Sequence, residues 1–122
     1  MKPLNVLIIE DLDMLKDLMV LAVQRHGTIR GLDHKVRTAE SVNDTFSTLA
    51  LFSPDVVFSD QNIKGGLGTE TFGAIRAKNP RVFIMLASSD DLSHVNHTAD
   101  LFRTKPVSPD QLYKVLDKVS TD

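Results

Sequence analysis

The sequence predicts an α/β fold, a five-stranded parallel sheet with helices on both faces. Two observations carry that prediction. Short apolar runs alternate with stretches of helical periodicity, five of each, and such alternation builds βα units. The runs themselves, such as Val-Val-Phe-Ser-Asp at 56–60, are nearly continuous rather than alternating. This is the pattern of a strand buried on both faces.

Residues 4–11 (LNVLIIED) form the first run. Met14, Leu15, Leu18, Met19, Ala22 and Val23 then recur at helical spacing, with Asp13 as the expected cap and Gly27 as the expected stop. Residues 28–41 read as a long loop with a weak strand at Lys35–Ala39. Ser41 is placed to cap a second helix carrying Val42, Phe46, Leu49 and Ala50, and the Ser-Pro-Asp at 53–55 ends it. The third strand is 56–60. Thr69 opens a third helix with Phe72 and Ile75, closed before Asn79-Pro80. Residues 81–89 form the fourth strand. A short or irregular fourth helix is expected within 90–100, where Leu92 and Val95 stand among weak helix formers. Residues 100–106 give the fifth strand. The last helix, 108–119, has the clearest signal: Ser108 as cap, Pro109 at the first position, and a stripe of Leu112, Val115, Leu116 and Val119.

The 122 residues suit one domain, 1–122, with a core large enough to need no staples. Net charge is -2 and the sequence pI about 6.0, so there is no basic footprint for nucleic acid. With no cysteine, thiol, disulfide and Cys-zinc chemistry are excluded. The N-terminal apolar run is too short and too acidic for a signal peptide or membrane span. A cytoplasmic protein without membrane attachment is expected.

A parallel sheet collects the carboxyl ends of its strands along one edge, where ligands bind. The predicted tips carry Glu10-Asp11, Asp60, Ala87-Ser88-Ser89 and Thr104-Lys105-Pro106. Three carboxylates drawn into one pocket repel, by roughly 4 kcal/mol per pair at about 4 Å and an effective dielectric near 20. Such a group takes up protons or a cation, and hard oxygen ligands suit Mg²⁺. One carboxylate can instead serve as a nucleophile toward phosphorus, with the lysine and a metal neutralising the transferred group.

The motifs VLIIED, PDVVFSD and RTKP, in this order and spacing, resemble the response-regulator receiver domain of two-component signalling, over nearly the whole chain. The resemblance implies a flavodoxin-like doubly wound sheet of order 2-1-3-4-5. It implies that Asp60 accepts a phosphoryl group from a sensor histidine kinase or histidine phosphotransfer protein. It implies Mg²⁺ held by Glu10, Asp11, Asp60 and the Asn62 backbone carbonyl, and phosphoryl contact from Lys105. A cis bond before Pro106 and a switching role for Phe102 follow from the same likeness, as does a downstream effector protein or fused output domain. The sequence departs from the pattern where a phosphoryl-binding hydroxyl is expected: Ala87 stands there, and Ser88 takes its place only if the register slips by one. The stretch between Ala87 and Lys105 is shorter than usual, the 26–35 loop longer, and Lys64 stands where proline is frequent.

Each residue also has a plainer reading. Glu10-Asp11 can simply precede a helix, Asp60 can form an Asx turn, Lys105 can be a solvated lysine, and Phe102 can be core packing. Gly65, Gly66 and Gly68 match no phosphate-cradling motif and read as loop flexibility. His94 and His97 lack further ligands and read as surface histidines. Two competing functions remain at this level: a degenerate receiver working as a phosphorylation-independent interaction module, and a haloacid-dehalogenase-like phosphatase using Asp11 and Asp13.

Overall fold

The computed structural model describes residues 1–92 and 97–122. In chain order the elements are β1 (Asn5–Ile9), α1 (Asp13–Arg30), β2 (Lys35–Ala39), α2 (Val42–Leu49), β3 (Val56–Asp60), β4 (Asn62–Ile63), β5 (Gly66–Leu67), a 3₁₀ turn (Gly68–Thr71), α3 (Phe72–Lys78), β6 (Phe83–Ser88), β7 (Leu101–Thr104) and α4 (Pro109–Thr121). Five strands form one parallel sheet in the order β2-β1-β3-β6-β7. This is the expected 2-1-3-4-5 order, because β4 and β5 pair only with each other.

Successive strand residues point to opposite faces, and both faces are apolar, so the sheet has a core on each side. On one side Val6, Ile8, Val56, Phe58 and Met85 meet Val23 of α1 and Leu112, Val115 and Leu116 of α4. On the other, Leu7, Ile9, Val57, Ile84 and Leu86 meet Leu49 of α2 and Phe72 and Ile75 of α3. Each fully buried side chain of this size contributes roughly 1.5–3 kcal/mol relative to exposure.

The last helix follows its sequence signals. The Ser108 hydroxyl accepts from the Gln111 N–H, the Gln111 side chain returns the bond, and the apolar stripe is buried. Ser41 caps α2 as expected, accepting from the Asp44 N–H at 2.9 Å. Phe46, however, is largely exposed, and Thr45 and Leu49 form the buried side of α2.

The first helix corrects three expectations. It does not stop at Gly27 but runs to Arg30, and Gly31 at φ 70° makes the left-handed cap. Gly27 is a glycine because a β-carbon there would strike the Leu32 carbonyl and the His34 ring. The long loop expected over 26–35 therefore shrinks to the short turn after Gly31. Asp13 does not cap: Leu12 holds the cap position without a side-chain bond, and Asp13 is exposed and paired with Lys16 at 3.1 Å. The expected stripe is only partly core. Ala22 and Val23 are buried, whereas Met14 and Leu18 face outward.

The third helix begins at Phe72, after the 3₁₀ turn that occupies the expected Thr69 start. The helix expected within 90–100 involves residues 93–96, Val95 and His94 among them, which lie outside the described residues. The flanking residues 90–92 and 97–100 are not helical.

Candidate functional site

The chain leaves β1 for β2 on one side and returns past β1 to β3 on the other, so strand order reverses between β1 and β3. Chains diverge there and leave a crevice at the carboxyl edge. Glu10 and Asp11 follow β1 and Asp60 ends β3, so all three acids face that crevice. Each offers a carboxylate oxygen within 4.8 Å of the others. Glu10 is buried; Asp11 and Asp60 are half-buried.

Lys105, just past β7, reaches across the sheet edge into the cluster. Its Nζ lies 3.1 Å from Glu10 Oε1 and 3.2 Å from Asp60 Oδ2. One ammonium thus bridges two carboxylates and leaves the cluster with unmatched negative charge. The other oxygens of Glu10 and Asp60 are held by backbone. Asp60 Oδ1 accepts from the Gln61 N–H at 2.8 Å, and Glu10 Oε2 accepts from the Asp11 and Leu12 N–H groups at 3.1 and 3.4 Å. Burial raises the Glu10 carboxyl above its ordinary range, with the Asp60 charge adding to this and the Lys105 bond opposing it. Burial disfavours the Lys105 ammonium, but its bonds and charge attraction to Glu10 and Asp60 more than offset this, so its pKa is raised.

The loop after Asp60 is more ordered than its glycines suggest. Residues 62–67 close a small hairpin through Gly65 (φ 81°) and Gly66 (φ 151°), conformations that favour glycine. Lys64 ties the hairpin to the start of α2, accepting from the Val42 N–H and donating to the Glu40 carbonyl. Gly68 then lies directly on the Asp60 backbone, where a β-carbon would collide with the Asp60 carbonyl oxygen. Two of these glycines make a turn, and the third is required by close approach. Asn62 opens the hairpin two residues beyond Asp60.

The parallel register places Ala87 beside Asp60. Ser88 is buried on the opposite side of the sheet, and its hydroxyl accepts from the Asp90 N–H at 3.1 Å. Phe102 pairs in register with Leu86 and packs half-buried into the α2/α3 side, away from Asp60. His97 is half-buried against the Phe102 ring at 5.6 Å rather than lying free on the surface. The Lys105-Pro106 peptide is cis. Beneath the acids a cavity of about 370 Å³ opens between α1 and α4, walled by Leu15, Met19, Ala87 and Leu112. Asp13 takes no part in the acid cluster.

The residues fit a hard divalent cation by donor chemistry: three carboxylates in reach of one another and an incomplete counter-charge. A doubly wound parallel sheet with such a pocket at its switch point, faced by a strand-tip lysine, defines the receiver class. Residues 6–117 match the response regulator receiver domain, and the chain belongs to that family. Solved structures agree on the fold. The chemotaxis response regulator CheY4 of Vibrio cholerae is 21% identical, with 98% of this chain and 99% of that one covered and a TM-score of 0.80. TrrA of Thermotoga maritima, solved with Mg²⁺ and BeF, is 23% identical over 98% and 99% of the two chains, with a TM-score of 0.79. The receiver domain of the sensor histidine kinase PA1611 of Pseudomonas aeruginosa, solved with magnesium in its active-site cleft, is 15% identical over 98% and 99%, with a TM-score of 0.80. No curated protein matches the sequence.

Proposed function

We propose that this receiver domain is phosphorylated on Asp60 in a Mg²⁺-dependent reaction, with a sensor histidine kinase or histidine phosphotransfer protein as donor. The observation that carries this reading is the bridge of Lys105 between Glu10 and Asp60, beside a third carboxylate, at the switch point of the sheet. An Asp60 oxygen attacks the phosphorus, the bond to the donor nitrogen breaks, and the freed imidazole takes up a proton. The Gln61 N–H holds the other Asp60 oxygen and so fixes the plane of the attacking carboxylate. Lys105 is already within reach of Asp60 and meets the added negative charge. Glu10, Asp11, Asp60 and the Asn62 carbonyl would hold the Mg²⁺, which supplies charge neutralisation at the phosphoryl oxygens.

A phosphoryl group adds nearly two negative charges at neutral pH, enough to redraw contacts around the pocket. The changed surface would be read by an effector protein or a fused output domain, in the cytoplasm. No helix among the described residues is long and apolar enough to cross a membrane. The reading is tested by intact-mass spectrometry after incubation with a small acyl phosphate and Mg²⁺. Wild type gains one phosphoryl mass and Asp60→Asn gains none; equal labelling of both would refute it.

Ala87 favours one second reading, an interaction module that works without phosphorylation, because no hydroxyl stands beside Asp60 on β6. Under that reading neither Mg²⁺ nor beryllofluoride changes the amide spectrum.

A further inference from the structure

At the opposite end of α1 lies a second polar network, for which the acid pocket has no use. His26 is fully buried in the middle of the helix face that meets α4. Its Nε2 lies 2.8 Å from Asp117 Oδ1 on α4, and its Nδ1 lies 2.9 Å from His34 Nε2 in the turn before β2. The Leu4 backbone N–H, just before β1, donates to His34 Nδ1 at 3.0 Å. Arg30 grips the same Asp117 with two bonds of 3.0 Å. Tyr113 of α4 stands edge-on to the His26 ring at 5.4 Å, and Asp33 adds the one further acidic charge acting on His34.

One end of this chain sets every proton in it. Leu4 can only donate, so His34 Nδ1 carries no proton and His34 Nε2 carries one. His34 Nε2 then donates to His26 Nδ1, which must accept, and His26 Nε2–H donates to Asp117. The chain is complete with both imidazoles neutral. An added proton has no place in it. On His34 Nδ1 it faces the Leu4 N–H, and on His26 Nδ1 it faces the His34 Nε2–H, so either site sets two donors against each other at hydrogen-bond distance. Arg30 shares the Asp117 carboxylate with His26, so its pull on a cationic imidazole is divided between two partners.

We propose that the Leu4–His34–His26–Asp117 chain is an acid-sensitive latch, holding α1 and the turn after it against α4 and β1 only while both histidines are neutral. Burial pushes the His34 imidazole below its ordinary range, in agreement with this geometry, and a charge on His26 would push it further down. A histidine held neutral in the folded chain contributes stability that is complete above the ordinary pKa of about 6.5 and is lost as pH falls below it. The latch shares no residue with the acid pocket and does not rest on the reading of Asp60 as a phosphoacceptor.

Two measurements test it on the intact chain. Long-range ¹H–¹⁵N spectra at pH 7.5 should show His26 and His34 neutral, both protonated on Nε2. An imidazolium at either position at that pH overturns the proposal. The second is urea unfolding of wild type and His34→Gln at pH 7.5 and 5.5. Glutamine keeps one acceptor and one donor but has no titrating group. The folded-to-unfolded ratio of wild type should fall about tenfold more than that of the variant across this interval, the effect of one histidine that titrates only when unfolded. Equal losses in the two proteins overturn the proposal, and if the variant does not fold, the wild-type spectra decide alone.

Discussion

The two ends of α1 hold the same kinds of group in opposite states. At the first, Glu10 and Asp60 share one lysine beside a third carboxylate, Asp11, and the surplus charge faces an open crevice. At the other, His26, His34, Asp117 and Arg30 satisfy one another with a partner for each donor and acceptor that meets in the chain. An unmatched cluster is held in place by the fold and costs stability, so it is suited to receive a cation or a phosphoryl group. A matched one is suited to holding elements together. Polar burial alone does not mark a functional site; the balance of charge and proton positions does.

This contrast can be broken at either end. The largest loss of stability is expected at the closed end. His26→Ala leaves a cavity under α1 and strips both His34 and Asp117 of a partner, costing about 2–4 kcal/mol in urea unfolding. At the open end Lys105→Met removes the bridge between Glu10 and Asp60. It should cost about 1–3 kcal/mol in metal-free buffer, moderated by solvent access, with part recovered in excess Mg²⁺. If Lys105→Met costs nothing while His26→Ala does, the acids are already relieved by some other means. The smallest effect is expected from Arg30→Met at the rim. Its two hydrogen bonds and, second, the His26 bond hold the Asp117 carboxyl down at about 2. That depression contributes stability complete above the ordinary value of 3.8 and lost as pH falls through about 2. In the variant, carboxyl titration by ¹³C NMR should move Asp117 upward toward 3.8 but leave it below, with the smallest change in stability of the three variants.

The acid pocket was largely legible in the sequence because its parts lie at strand ends, and strand ends are marked by local signals. A continuous apolar run stops at a carboxylate in both VLIIED and PDVVFSD, and a parallel arrangement then forces the tips together. The capping box of α4 is similarly local. The histidine chain carried no such mark. His26 and Asp117 are 91 positions apart, and His26 sits where a helical pattern reads as a helix about to end. Gly27 strengthened that misreading, since a glycine inside a helix costs about 1 kcal/mol and is usually a stop. Only the close approach of the Leu32 carbonyl explains it. The outward-facing Met14 and Leu18 show the same limit: periodicity finds a helix but not which of its apolar residues meets the sheet.

The sequence by itself therefore determined the alternation of strands and helices, the two-sided burial of the sheet, and the residues delivered to its carboxyl edge. These follow from periods of 2 and 3.6 and from turn chemistry, which act over a few neighbours. Tertiary structure decided that Ala87, not Ser88, stands beside Asp60, because strand register depends on the pairing of β3 with β6. It also decided that Lys105 spans Glu10 and Asp60, and that two histidines and an aspartate from distant segments share one proton-ordered chain. Those outcomes depend on distances between segments, and the spacing of residues along the chain does not encode them.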